Sequence, residues 1–169
     1  MNRTPLRHAI ASDDPEALAA AIRNGADPNQ TDDRGRTPLH FAVLQSGPTL
    51  IRALIAAGAD LNAPDATGKT PLHTATELGM IRSIAVLLAA GADPAAQDAV
   101  GYTPLHFAFG PFRTTRQATI NALCAAGAPL EARNRYGDTP LRIPTHSATH
   151  SDHIRPPVPK YSATCDETP

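Results

Sequence analysis

The chain has 169 residues, of which 41% are apolar, and a formal net charge of −1. The length and the apolar fraction suit one domain. The charge argues against a nucleic-acid partner, because phosphate binding needs clustered basic residues. Its two cysteines, Cys124 and Cys165, lie too far apart for a zinc-binding pair and are too few for a disulfide framework. Because no apolar run suits a signal peptide or a membrane span, we expect a cytoplasmic protein.

A Thr-Pro-Leu segment recurs along the chain at intervals of 33, 33, 33 and 36 residues. The segments begin at Thr4, Thr37, Thr70, Thr103 and Thr139. Threonine is a good N-cap, and proline suits the first helical position, where no N–H is needed. Each segment therefore predicts the start of a short helix, and the even spacing predicts a repeat architecture.

A second helix is predicted in each of the first four units, because apolar residues follow at helical spacing. These residues are Leu18, Ala21 and Ile22, then Ile51, Leu54 and Ile55, then Ile84, Leu87 and Leu88, then Ile120, Leu123 and Cys124. A glycine that can adopt a left-handed conformation ends each second helix, at positions 25, 58, 91 and 127. A further glycine, three residues after Asp32, Asp65, Asp98 or Asn134, predicts an Asx-type turn at a hairpin tip.

The runs GRTPLHFA (35–42), GKTPLHTA (68–75) and GYTPLHFA (101–108) resemble ankyrin repeats. The resemblance covers residues 4 to about 143 and implies an all-α repeat solenoid of stacked helix-turn-helix units with β-hairpin loops. We assign residues 1–144 to the array, with a truncated unit at Thr139. Residues 145–169 are polar and Pro-rich, so we assign them to a C-terminal tail that either caps the stack or is disordered.

Three units depart from the pattern. Arg7 replaces the histidine of later units, as expected for an N-terminal cap. The fourth unit carries three extra residues within 110–116, where Pro111 is predicted to end the first helix early. This insertion is either a tolerated surface loop or a contact arm. In the fifth unit Pro144 interrupts the helix, so we expect about one helical turn there.

Two groups of histidines suggest metal binding, and both favour another interpretation. His40, His73 and His106 recur with the repeat, so we expect each ring to hydrogen-bond the N-cap threonine and steady the neighbouring hairpin. His146, His150 and His153 have the spacing of one helical face, but they follow a helix-breaking proline without apolar support. We therefore expect no metal, no cofactor and no enzymatic activity. The PxxP within 155–160 is a weak docking motif, better interpreted as linker.

The resemblance implies that a partner binds the concave face, which is formed by the hairpins and the outer sides of the first helices. The candidate residues are Arg34, Arg36, Leu44, Gln45, Lys69, Glu77, Leu78, Tyr102, Phe109, Phe112, Arg113, Arg133, Arg135, Tyr136 and Asp138. Tyrosine and arginine dominate binding hot spots, and they gather in the C-terminal half. We hypothesise a hot spot there, against the alternative that these are ordinary solvated tips.

These residues predict a monomeric, non-enzymatic module that binds another protein. The arginines favour a partner with an acidic surface. Abundant alanine and an excess of arginine over lysine favour a bacterial source, and a small cytosolic array of this kind resembles the inhibitors, or immunity proteins, of cognate toxins. The alternatives are a secreted effector that captures a host protein, a general adaptor and, more distantly, a metal-dependent activity at the C-terminal histidines.

Overall fold

The structure is a computed structural model that describes residues 5–45, 48–109 and 113–140. Within these ranges it contains eight helices and no strand. The helices are α1 (Pro5–Ala11), α2 (Pro15–Arg23), α3 (Pro38–Ala42), α4 (Thr49–Ala56), α5 (Pro71–Glu77), α6 (Ile81–Ala89), α7 (Pro104–Phe107) and α8 (Arg113–Ala125). Helices α1, α3, α5 and α7 pack side by side in one layer, and α2, α4, α6 and α8 form the other. The predicted all-α repeat solenoid is confirmed.

The first helices begin where the sequence predicts. Thr37, Thr70 and Thr103 have extended backbones and act as N-caps, each followed by proline at the first helical position. Helix α7 has 4 residues, against 5 in α3 and 7 in α5, and ends at Phe107. Residues 110–112 lie outside the described ranges, so the early end predicted at Pro111 stays a prediction.

The core consists of columns of equivalent residues, one from each unit. The leucine of the Thr-Pro-Leu segment is fully buried four times, at Leu6, Leu39, Leu72 and Leu105. Alanine three residues later is also buried, which lets adjacent first helices approach closely. The second helices contribute Leu54, Leu87 and Leu123, as predicted, whereas Cys124 is only half-buried. Each fully buried leucine contributes about 2 kcal/mol of apolar burial, so the stack derives its stability from this repetition.

Asparagine side chains join the loops that follow the second helices. Asn29 accepts the N–H of Asp60 at 2.7 Å and donates to the carbonyl of Gly58 at 3.1 Å. Asn62 accepts the N–H of Asp93 at 2.8 Å in the same way. In the third unit Ala95 takes the asparagine's place, and the opposite residue is Pro129, which has no N–H. The N–H donor and the side-chain oxygen that would accept from it are therefore absent together at this exposed position.

Several predicted features fall outside the described residues. These are Thr4, the fifth-unit helix with Leu141 and Ile143, the boundary at residue 144, the tail 145–169 and its group of His146, His150 and His153. The fifth unit is described as far as Pro140, and its tip is formed as in the other units.

Candidate partner-binding surface

Each hairpin tip is built around the side chain of an aspartate or asparagine. Asp32 Oδ1 accepts the N–H groups of Arg34 and Arg36, both at 2.9 Å, and the Asp32 N–H donates to the Arg36 carbonyl at 3.0 Å. Asp65, Asp98 and Asn134 form the same Asx-type turn. Two backbone bonds within each tip, such as those from Asp32 N–H to Arg36 O and from Gly35 N–H to Asp32 O, close a tight turn rather than a strand ladder, which explains why the described hairpins contain no strand.

Successive tips are joined by backbone hydrogen bonds. The N–H of Ala66 donates to Arg34 O at 2.8 Å, that of Ala99 to Thr67 O at 3.0 Å, and that of Arg135 to Val100 O at 2.9 Å. Four tips therefore form one continuous edge. The side chains that vary between units are held at fixed positions along this edge.

Buried histidines fasten this edge to the first helices. His73 Nδ1 accepts the N–H of Thr70 at 3.1 Å, and Nε2 lies 2.9 Å from the carbonyl oxygen of Tyr102 in the next tip. Because a carbonyl only accepts, Nε2 carries the proton. His40 reaches the carbonyl of Lys69 at 2.9 Å, and His106 reaches that of Asp138 at 3.2 Å. The structural role predicted for the three histidines is confirmed.

Burial lowers the pKa of His40, His73 and His106 below the ordinary value of 6.5, although the carbonyl acceptors and nearby Asp65 and Asp98 partly oppose it. Below pH 6.5 the unfolded chain therefore takes up protons that the folded chain resists. The histidine contribution to stability is complete above pH 6.5 and is lost as the pH falls through the lowered values. The carboxyls of Asp32 and Asp65 also lower stability as the pH falls, in a more acid range. Burial raises the pKa of these carboxyls, but their hydrogen bonds lower it more, so that both pKa values lie below 3.8.

We expect the urea midpoint to be constant from pH 8 to 7 and to fall steadily from pH 6.5 to 5, the range in which histidine titrates. Equilibrium urea unfolding followed by circular dichroism measures it. A midpoint that stays constant down to pH 5 would contradict the assignment of these rings as buried and neutral.

Charged and aromatic side chains cluster on the face formed by the tips and first helices. The guanidiniums of Arg7 and Arg36 lie 4.3 and 4.6 Å from the ring centroid of Phe41. Arg36 also binds Asp32 through Nε at 3.1 Å and a terminal nitrogen at 2.8 Å, and Arg7 lies 3.7 Å from the same carboxylate. The predicted contact residue Arg36 is therefore held in place by its own unit and by the first unit.

The next cluster along this face surrounds Phe107. Lys69 Nζ lies 4.7 Å from its ring centroid and forms a 2.7 Å ion pair with Glu77. Tyr102 packs against Phe107 with centroids 5.7 Å apart and meets the edge of His106 at 5.3 Å. The structure brings the predicted residues Lys69, Glu77 and Tyr102 together, around an aromatic ring that sequence reasoning did not select.

The remaining candidate residues differ in how freely they can meet a partner. Leu44 and Tyr136 are the large apolar side chains exposed within the described residues, at 41% and 67%. The half-buried Gln45 donates its amide to the carbonyl of Ile10 at 2.9 Å, so it fastens α3 to α1. Arg133 donates to the carbonyl of Gly137 at 2.9 Å.

Two of the other candidates, Arg34 and Arg135, are exposed at tips. Three are half-buried, namely Leu78, Phe109 and Asp138. The structure does not describe Phe112 or the side chain of Arg113. Sequence reasoning missed Phe41 and Phe107 as members of the surface. The signal was present, because each follows a TPLH run and so occupies the same position of its unit.

The part of the chain that the structure describes contains no group of three or more histidine, cysteine, aspartate or glutamate residues that could hold a metal ion. No helix there combines the length and the apolarity needed to cross a membrane.

Comparison with known families returns one match. A family model for ankyrin repeats, built of three copies, matches residues 6–98. A search of curated proteins finds no significant match. The matched residues include helices α2 to α6, most of α1 and the Asx-type turns at Asp32 and Asp65, the second of which receives the bond from His40 to Lys69 O.

Proposed function

The chain belongs to the ankyrin-repeat family, and from this premise we propose that it binds another protein through the face formed by its hairpin tips and first helices. The observation that carries the proposal is the row of charged and aromatic side chains already immobilised there, from Arg36 on Phe41 to Lys69 and Tyr102 on Phe107. Side chains fixed before binding lose little conformational entropy on association. A row of this kind suits recognition of a preformed surface.

We propose that the partner presents carboxylates to this face and that the chain acts as the inhibitor, or immunity protein, of a toxin. The fixed tips support this role, because a blocking protein must hold its contacts without rearranging. A secreted effector that captures a host protein and a general adaptor are the alternatives. The identity of the captured protein decides among them.

The hot spot that we propose lies in the C-terminal half, at Tyr102, Arg135 and Tyr136. Tyr136 supports it, because a tyrosine with 67% of its surface exposed has a large area still to bury. Tyrosine and arginine are also the residues that alanine scanning most often finds essential.

Alanine at all three positions is expected to weaken partner binding by at least about tenfold, the loss expected from removing hot-spot side chains. The experiment is a pull-down from the source cells with mass spectrometry, followed by titration of the captured protein. The matched control replaces Arg52, Arg82 and Gln117, exposed residues of the second helices, by alanine.

A protein bound by wild type and control but lost in the triple variant supports both the function and its site. Equal binding to all three baits would remove the proposed site. If no protein captured by any of the baits binds in titration, the proposed function is contradicted. A captured toxin would support the inhibitor role, and a host protein would favour the effector.

A further inference from the structure

One carboxylate on the tip and first-helix face is shared between two arginines. Asp32 Oδ2 receives two hydrogen bonds from Arg36 and lies 3.7 Å from a terminal nitrogen of Arg7. Its other oxygen, Oδ1, accepts two backbone N–H groups. Both oxygens of Asp32 are thus occupied within the protein, and two guanidiniums lie beside this one carboxylate.

The positive side of this cluster faces solvent. The side chain of Asp32 is 10% exposed, whereas those of Arg7 and Arg36 are 31% and 33% exposed. Arg34 adds an exposed guanidinium at the same tip, beside the exposed carboxylate of Asp33. The guanidiniums, rather than the carboxylate, are therefore the part of the Asp32 cluster that an approaching molecule meets.

The neighbouring cluster has the opposite arrangement. Lys69 pairs one-to-one with Glu77 at 2.7 Å, and there the acid is the more exposed partner, at 45% against 24%. Arg133, farther along, donates to the carbonyl of Gly137 in its own tip. Of the clusters described, only the one around Phe41 pairs two cations with a single carboxylate.

We infer that Arg7, Arg36 and Phe41 form an anchor that binds a carboxylate of an acidic segment in the partner protein. The inference rests on the proposed function, because it assigns the partner's acidic group to one end of the proposed face. Guanidinium groups bind carboxylates with directed N–H donors, and stacking on Phe41 holds both groups in position beforehand. The partner's acidic segment lies on this anchor, while its apolar part reaches Tyr102 and Tyr136.

The test uses a hexaglutamate peptide as probe, with hexaglutamine as the uncharged control. The protein is labelled with 15N, and the arginine Nε–Hε signals are followed as peptide is added. We expect the signals of Arg7 and Arg36 to shift with hexaglutamate and not with hexaglutamine. No shift, or shifts confined to Arg133 and Arg135, would overturn the inference.

Substitutions give the second readout. The Arg7→Gln/Arg36→Gln variant is expected to bind hexaglutamate at least about tenfold more weakly, as expected for the loss of charge-assisted pairs. The matched variant Arg52→Gln/Arg82→Gln, at exposed positions of the second helices, removes the same charge and is expected to stay within about twofold, as substitutions away from a hot spot do. An equal loss in both variants would show a general charge effect and overturn the inference.

Two measures keep the test decisive. Because Arg36 supports the Asp32 turn, Arg7→Gln alone is titrated as well, and it should show a clear loss with the helical spectrum unchanged. A chain that captures a partner protein but does not bind hexaglutamate overturns this inference and leaves the proposed function standing. If hexaglutamate binds at Arg7 and Arg36 but no protein is captured, the proposed function fails and the anchor remains.

Discussion

Replacement of Gly68 by alanine is expected to destabilise the array by about 3 to 4 kcal/mol, whereas the same change at Gly58 should cost about 1 to 2 kcal/mol. The two glycines have nearly the same backbone, with φ of 82° and 86°. A side chain in this left-handed region is strained at both positions. The difference between the two variants therefore isolates the second effect, which is crowding.

Of these two glycines, only Gly68 is crowded. An added Cβ at Gly68 would overlap the backbone nitrogen of Ala99 and lie 2.9 Å from the carbonyl carbon of Asp98, whereas at Gly58 it would meet nothing within 4 Å. Because the crowded atoms are backbone, the next tip must move away. That movement would stretch the 3.0 Å bond from the Ala99 N–H to Thr67 O, which joins the two tips.

Equilibrium urea unfolding of wild type, Gly58→Ala and Gly68→Ala measures both costs. Equal losses in the two variants would contradict the close approach of the tips. We also expect Gly68→Ala, under conditions where it remains folded, to weaken partner binding more than Gly58→Ala, because the displaced tip carries Tyr102.

The sequence predicted those parts of this molecule that depend on local chemistry and on the repeat period. Thr70 and Pro71 suit the N-cap and the first position of a helix, and Asp65 with Gly68 closes a turn within a few residues. The interaction of His73 with the next tip was also predictable, because the period of 33 residues makes each unit's neighbour a copy of itself. For the same reason the buried leucine columns could be predicted from spacing alone.

The interactions that differ from unit to unit were not predictable in this way. The side chain stacked on Phe41 or Phe107 depends on which residue the adjoining tip carries and how far it reaches. Arg7 reaches Asp32 across the boundary between units, and Lys69 meets Glu77 eight positions along the chain. Such pairs follow neither a helical nor a turn spacing, so only a structure identifies them.

The residue type at one position can also conceal that the position joins neighbouring units elsewhere in the array. Ala95 is unremarkable as a sequence letter, and the structure shows that it stands where Asn29 and Asn62 join neighbouring units. The residue opposite it, Pro129, belongs to the unit that contains the three-residue insertion, where the even spacing is broken. The glycines that end the second helices align the units across the insertion, but only the structure shows that the asparagine side chains bond across units.

His73→Ala is expected to lower the free energy of unfolding by about 4 kcal/mol, since each buried backbone group left without a partner costs about 1 to 3 kcal/mol and the missing ring leaves a cavity. His73 is fully buried. Its removal leaves the N–H of Thr70 without the bond it makes at 3.1 Å, and it removes one of two bonds to the carbonyl of Tyr102, which still accepts the N–H of Asp98 at 2.9 Å. Folded domains have only about 5 to 15 kcal/mol in total, so this one side chain determines much of the stability.

The matched control is His8→Ala, at an exposed position of α1, which should change stability by less than about 0.5 kcal/mol. His73→Gln separates hydrogen bonding from volume. Glutamine at the third helical position can accept the N-cap N–H, so it should recover part of the loss if the bond to Thr70 matters. Urea unfolding at pH 7.5 compares the three variants, and a His73→Ala cost no larger than that of His8→Ala would contradict the role of this ring.

The same variant links stability to binding, because the carbonyl that His73 holds belongs to Tyr102, a residue of the proposed hot spot. Without that bond the tip is fastened to its neighbours only through Ala99 and Arg135, whose N–H groups donate to Thr67 O and Val100 O. We therefore expect His73→Ala, studied where it is still folded, to bind the partner more weakly through faster dissociation. His40→Ala, which releases the tip of Lys69 instead, should affect dissociation less if the hot spot lies in the C-terminal half. It should affect dissociation more if the arginine anchor dominates.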